Sequence, residues 1–163
     1  MVVKKMIREL KKSDREELKR IIIDTKHFND DEVTVAMELI DESLSRGKSS
    51  DYITKVFVTD DTTAVAGYIC YGKRPLTDAT YDLYWIAVDP KIHGKGIGKQ
   101  LVESMECDVR DNMDGYLILI ETSGKEQYAG ERKFYEKCAY EVQTVIKDFY
   151  RRGDDLFVYR KYL

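Results

Sequence analysis

Three glycines in five residues, Gly94, Gly96 and Gly98, sit with Lys95 and Lys99 where a strand pattern gives way to a helix pattern. Glycine lets backbone amides approach an anion with no Cβ in the way. The first turn of a helix adds unpaired N–H groups and a partial positive charge of roughly +0.5. The two lysines add full charges, so the segment His93-Gly94-Lys95-Gly96-Ile97-Gly98-Lys99 reads as a phosphate cradle. A Walker loop does not fit: the glycine spacing is one residue short, and Gln100 stands where a magnesium-holding Ser or Thr belongs. A dinucleotide fingerprint does not fit either, because its third glycine falls on Lys99 and the loop lies mid-chain. A glycine-rich turn without a ligand would look the same in isolation, so the flanking residues decide.

The elements around the loop follow from periodicity. Lys4–Arg8 reads as a first strand, and Ser13-Asp14-Arg15-Glu16 as a capping box opening a helix with Leu18, Ile21 and Ile22 inward. Val33, Ala36, Met37, Ile40 and Leu44 mark a second helix from Asn29 or Asp30 to Gly47. Tyr52–Thr59, Ala64–Tyr71 and Tyr81–Val88 read as strands, with a turn at Asp60-Asp61 and a stop at Asp89-Pro90. Ile97, Leu101, Met105 and Val109 place a helix over Ile97–Asn112. The uninterrupted apolar run Tyr116–Ile120 predicts a strand covered on both faces. Tyr128–Lys137 reads as helical, and Tyr140–Tyr150 and Asp155–Tyr162 as two last strands around Arg151–Asp154, a charged hairpin tip. The order is that of an α/β chain with a mixed sheet and helices on both faces, and without repeat or linker it reads as one domain over residues 1–163.

Composition narrows the classes. With 43% hydrophobic and 35% charged residues and only two prolines, the chain is neither disordered nor collagenous. A net charge of −3 gives no pull toward nucleic acid and weakly favours a cationic substrate. Cys70, Cys107 and Cys138 are too scattered for a zinc site or a disulfide framework, so no metal is expected and a reducing, cytoplasmic setting is the simpler reading. No stretch approaches the ~18 apolar residues of a membrane span, and Met1–Leu10 lacks the apolar run of a signal peptide.

Tyr84-Trp85-Ile86-Ala87-Val88-Asp89-Pro90, running into Gly94–Gly98, resembles motif A of the GNAT acetyltransferase superfamily. Arg132-Lys133-Phe134-Tyr135-Glu136-Lys137-Cys138-Ala139-Tyr140 resembles the family's later Arg-x-Phe-Tyr-Glu-Lys-x-Gly-Phe motif. The resemblance implies a mixed, mostly antiparallel seven-stranded sheet that splays between Tyr81–Val88 and Tyr116–Ile120. The pantetheine arm of acetyl-CoA would lie there, paired with the backbone of Ile86, Ala87 and Val88. It implies acetyl transfer from the co-substrate acetyl-CoA to a small-molecule or peptide amine, with the pyrophosphate held by the glycine loop. Three residues depart from the pattern: His93 replaces Arg or Gln, Ala139 replaces glycine, and Tyr128 stands where many members carry an asparagine near the thiol.

Acyl transfer to an amine needs a proton removed from the nucleophile, a donor for the thioester oxygen, and a proton for the departing thiolate. Tyr135 is the candidate general acid, as the tyrosine of the Phe-Tyr pair is in the family, and its alternative is plain core packing. Asp82, on the strand before the loop, is the candidate base because the resemblance matches it by register to the strand carboxylate that serves as base in some relatives; Glu121 and a water chain are the other contenders, and a solvated edge charge is the plain alternative. His27 carries no assigned role. The rival to an enzyme is a non-catalytic acyl-CoA-binding regulatory module of the same fold. The acceptor's identity and a homodimeric state stay open.

Overall fold

The computed structural model describes residues 6–59, 64–92 and 94–163. Lys4 and Lys5 of the expected first strand, the Asp60-Asp61 turn and His93 lie outside the described residues. The described elements are β1 (Met6–Glu9), α1 (Arg15–Asp24), α2 (Asp30–Arg46), β2 (Ile53–Val58), β3 (Val65–Lys73), β4 (Thr80–Val88), α3 (Ile97–Asn112), β5 (Leu117–Ser123), α4 (Ala129–Lys137), β6 (Glu141–Arg151) and β7 (Asp154–Tyr162). The strands form a seven-stranded sheet in the order β1-β2-β3-β4-β5-β7-β6. The β4–β5 pair is parallel, and β1–β2, β2–β3, β5–β7 and β6–β7 are antiparallel. No helix among the described residues is long and apolar enough to cross a membrane.

The chain divides into two compact units: residues up to Gly72 with Trp85–Met105, and Lys73–Tyr84 with Glu106–Leu163. In the first, Leu18, Ile21 and Ile22 of α1 are fully buried, as their helical spacing predicts. Residues 65–72 of β3 are buried throughout, which requires cover on both faces of the strand. On one face Ser43 of α2 bonds Thr54, the register partner of Cys70. On the other, Leu101 of α3 lies 3.4 Å from where a Cβ on Gly67 would stand, and the Ala87 carbonyl only 2.9 Å from it. Gly67 is therefore glycine because β4 and α3 close on its backbone.

The start of α1 differs from the expected capping box. Ser13 caps nothing; a 3-10 turn over Lys12–Asp14 precedes the helix, and Asp14 gives no side-chain cap to α1. The buried Asp14 carboxylate instead accepts from the Lys11 amide at 2.8 Å and from Arg8 at 2.8 and 2.9 Å. These bonds, one of them bidentate and charge-assisted, fix the turn and move the start of α1 past Ser13 to just after Asp14. The capping box is at α2, where Asn29 accepts from the Glu32 amide and Glu32 accepts from the Asn29 amide.

In the second unit β5 also departs from expectation. Ile118 and Ile120 are buried, but Leu117 and Leu119 are only partly so and Tyr116 is 55% exposed. An unbroken apolar run cannot by itself distinguish two covered faces from one. The helical side of the unit is held by Glu106 on α3, which accepts from Lys161 Nζ at 2.8 and 2.9 Å and from the Tyr140 hydroxyl at 3.0 Å.

Helix α4 ends in a Schellman turn: the Tyr140 amide donates to the Tyr135 carbonyl and the Ala139 amide to that of Glu136, both at 3.0 Å. The turn forces Ala139 to φ +66, which explains why glycine is usual there. A Cβ in the left-handed region costs about 1–2 kcal/mol, and glycine's larger unfolded-state entropy gives back part of that. Ala139→Gly is expected to raise the melting temperature by about 1–3 °C, read in a thermal melt; an unchanged or lower value would show that the turn is not strained.

Candidate active site

In the first unit, β4 delivers the chain into the glycine loop. Asp89 directly follows the strand, and its amide donates to the Ala66 carbonyl of β3 at 2.8 Å. Pro90 then opens a 3-10 turn to Ile92, closed by the Ile92 amide on the Asp89 carbonyl at 2.9 Å. The Asp89 side chain accepts from the Lys91 amide at 2.9 Å and from Arg20 of α1 at 2.6 Å. Burial alone would push this carboxyl up, but the bonds from Arg20 and the Lys91 amide outweigh it and hold Asp89 below the usual carboxylate range.

Beyond the turn the loop is open. Gly94 has φ +80 and Gly96 φ +69, so both need the left-handed region that glycine enters without strain. Added Cβ atoms would meet nothing within 4 Å at Gly94, and only Gln100 Nε2 at 3.9 Å at Gly96. The requirement is thus on backbone conformation, not on space within the protein. Ile97 is buried to 3% exposure and pins the loop to the core, while Gly94, Lys95, Gly96 and Lys99 are exposed. Helix α3 begins at Ile97. Its first-turn amides and Gly98 lie in the chain segment expected to hold the anion. Of the backbone expected to pair with pantetheine, Ala87 is buried, and Ile86 and Val88 are partly so.

In the second unit, Tyr135 on α4 is 7% exposed, with ring centroids of Phe134, Tyr140 and Tyr159 at 5.6, 6.5 and 6.0 Å. Burial, then the nearby Glu131, Cys138 and Tyr159, push its phenol well above the ordinary tyrosine value. The phenol therefore keeps its proton at neutral pH. Arg132 of the same motif is an anchor: it donates 2.8 Å bonds to the Ser123 and Lys125 carbonyls and lies over the Phe157 ring at 5.2 Å. That fixes the connection from β5 into α4 and with it the start of the helix carrying Tyr135. Tyr128 closes the 3-10 turn just before α4, its amide on the Lys125 carbonyl at 3.0 Å and its side chain buried.

Asp82 lies on β4, opposite Leu119 of β5, and is 8% exposed. It accepts from Arg74 at 2.8 Å, and the same guanidinium nitrogen reaches Glu121 at 3.5 Å. Burial pushes the Asp82 carboxyl up; Arg74 opposes this, Glu121 adds to it, and the net shift is upward. Asp82 and Glu121, both named from sequence, thus share one cation. The sequence reading missed that cation. Its signal was the hairpin: the Arg74 amide bonds the Thr80 carbonyl, which sets Arg74 diagonal to Asp82 across the β3–β4 pair. Arg20 was missed as well, and 69 positions of separation from Asp89 leave no sequence pattern to find it.

Comparison with known proteins agrees with this architecture. No curated protein sequence matches. The model of the acetyltransferase (GNAT) domain matches residues 53–142. Among solved structures, a protein of Desulfovibrio desulfuricans assigned to the GNAT family of acetyltransferases is 40% identical, with a TM-score of 0.91 over 97% of this chain and 98% of that one. An aminoglycoside 6′-N-acetyltransferase complexed with coenzyme A has 16% identity and a TM-score of 0.72, over 96% of each chain. The Escherichia coli ribosomal-protein-S18-alanine N-acetyltransferase has 18% identity and a TM-score of 0.69, over 97% of this chain and 93% of that one. The last two share the fold. The domain match spans more than half of the chain and includes the glycine loop and the Arg132–Tyr140 motif, and with the 40% identical structure it establishes that the chain belongs to the GNAT family of acetyltransferases.

Proposed function

We propose that the protein transfers an acetyl group from acetyl-CoA to a primary amine by direct attack. The observation that carries this reading is the loop after β4, where left-handed Gly94 and Gly96 lead exposed backbone into the N-terminus of α3 with Lys95 and Lys99 beside it. Such a cradle suits a pyrophosphate, and no Ser or Thr follows Lys99 to hold magnesium. The coenzyme A bound by the structurally similar aminoglycoside acetyltransferase supports the same ligand class.

In this reading Gly94–Lys99 and His93 hold the pyrophosphate, the Ile86–Val88 backbone pairs with pantetheine, and Tyr128 contributes to the cofactor's environment. The amine nitrogen bonds to the thioester carbon as the carbon–sulfur bond breaks. Asp82 takes the proton that the amine loses, which suits a carboxyl whose proton affinity is raised by burial. Tyr135 gives its proton to the leaving thiolate, as a phenol that is protonated at neutral pH can.

The protein is expected to bind CoA more tightly than ATP with magnesium, and to release thiol from acetyl-CoA when offered an acceptor from a panel of small amines and peptides. Calorimetry and a thiol assay decide both points. Magnesium-dependent ATP binding without CoA binding would sink the reading, and CoA binding without thiol release from any amine would favour a regulatory module.

Gly96→Ala has room for its methyl but must hold φ +69, a strain of about 1–2 kcal/mol. Relief by backbone rotation would turn the loop amides away from the anion. CoA affinity is expected to fall by about tenfold or more, since unpaired donors cost about 1–3 kcal/mol each. A folded variant that binds CoA like the parent would make the loop purely structural.

Tyr135→Phe removes one hydroxyl and almost no volume. The melting temperature and CoA affinity are expected to hold, while the rate of acyl transfer to the amine found in the panel falls by about 10²–10⁴. An unchanged rate, with acyl transfer shown to be rate-limiting, would return Tyr135 to the core.

A further inference from the structure

Arg20 of α1 is engaged by three carboxylates. Glu17 and Asp24, one helical turn before and after it, accept at 2.5 and 2.7 Å, and Asp89 accepts at 2.6 Å. Glu17 and Asp24 leave roughly two-fifths of their side chains exposed, so they orient the guanidinium from the solvent side. Asp89 is different, since its side chain is only 6% exposed. Its other carboxylate oxygen holds the Lys91 amide, and its carbonyl holds the Ile92 amide. Both of these bonds in the turn over Pro90–Ile92 therefore end on one residue. That turn leads toward the exposed glycine segment read above as the pyrophosphate loop.

We propose that Arg20 and Asp89 are a positioning pair for the cofactor loop: α1 holds the Asp89 carboxylate, Asp89 holds the turn, and the turn aims the loop amides at the pyrophosphate. This rests on the reading of Gly94–Lys99 as the cofactor loop. Two effects make Arg20 necessary. A buried carboxylate without its cation would turn outward for water and release the Lys91 amide. An unneutralised negative charge at the head of a phosphate loop would also repel the very group that the loop binds. Glu17 and Asp24 cannot substitute for Arg20, because their own charges have the same sign as the phosphates.

The experiment is calorimetric titration with CoA, which needs no acceptor, on the parent, Arg20→Gln, Arg20→Lys, Asp89→Asn and the double variant Arg20→Gln/Asp89→Asn. Arg20→Gln is expected to weaken CoA binding by about tenfold or more, as small misplacements of binding groups do. Arg20→Lys, which keeps the charge, should recover part of the loss. The double variant should bind no worse than Arg20→Gln, because the two residues act through one contact. Amide hydrogen exchange of the free variants should quicken at residues 91–98 and stay at parent rates in α2 and β2, which general destabilisation would not produce. Folded Arg20→Gln protein binding CoA within about twofold of the parent would overturn the proposal, as would losses that simply add in the double variant. Should Arg20→Gln fail to fold, Arg20→Lys and Asp89→Asn put the same question, and parent-like affinity and exchange in both would overturn it. A parent that binds no CoA would instead remove the cofactor reading on which the pair depends.

Discussion

Asp89 must stay ionised where ionisation is costly, and much of the first unit is arranged around that requirement. The side chain is 6% exposed, so its charge has lost most of its hydration. Arg20 and the Lys91 amide replace that hydration with directed donors. Proline follows at once, which ends β4 and presets the turn. Because α1 supplies the guanidinium, the helix packed through Leu18, Ile21 and Ile22 also fixes the end of the strand. The left-handed glycines then act on a segment whose entry is already set. Flexible glycines without a fixed entry would cost the entropy of ordering each time an anion bound.

The second unit solves a different problem, that of keeping a phenol buried and protonated. Tyr135 sits among Phe134, Tyr140 and Tyr159, and burial does most of the work on its proton affinity. The nearby Glu131 carboxylate reinforces the effect. Glu106 is neutralised by Lys161, whose ammonium also donates to the Cys138 carbonyl at 3.0 Å, one turn-end beyond Tyr135. That single lysine thereby ties α3, β7 and the end of α4 together. Arg132 does the equivalent at the start of α4. A nine-residue helix is too short to be stable by propensity alone; Lys161 of β7 holds its C-terminal end, and its own Arg132 ties its start to the preceding connection.

Much of this was legible because it is local. The stripe Ile97, Leu101, Met105 and Val109 gave the bounds of α3, and all four residues are buried. The glycine spacing, the Asp-Pro stop and the position of Asp82 on its strand are likewise short-range patterns. Failures came where a contact outside the local pattern decided. Ser13 looked like a cap, but the carboxylate next to it found Arg8 and the Lys11 amide. Residues 116–120 looked doubly covered, but Leu117 and Leu119 are only partly buried. Arg20 and Arg74 carry no motif at all; they matter because folding brings each to a buried carboxylate. Ala139 lies between these cases, since its left-handed φ was implied by the glycine usual at that place and was visible as a departure before the turn was seen.

Asp82 and Asp89 sit on or next to the same strand, are 8% and 4% exposed, and each has one arginine. Their proton affinities nevertheless move apart, Asp82 upward and Asp89 downward. The difference lies in the other neighbours. Asp89 gains a backbone amide, which stabilises only its ionised form. Asp82 gains no such donor, and its arginine is shared with the like charge of Glu121. For stability the signs are opposite. Ionised Asp89 contributes stability above its unfolded pKa, and that contribution is lost as pH falls through its lower folded value. Asp82 in its ionised form costs stability, a cost that grows as pH rises through its unfolded pKa and is complete above its raised folded value. A fold that tolerates such a cost at one carboxylate while relieving it at another seven residues on separates a carboxyl kept for holding from one left able to take a proton. That separation, more than the strand register alone, is the physical argument for Asp82 as the base of the proposed reaction.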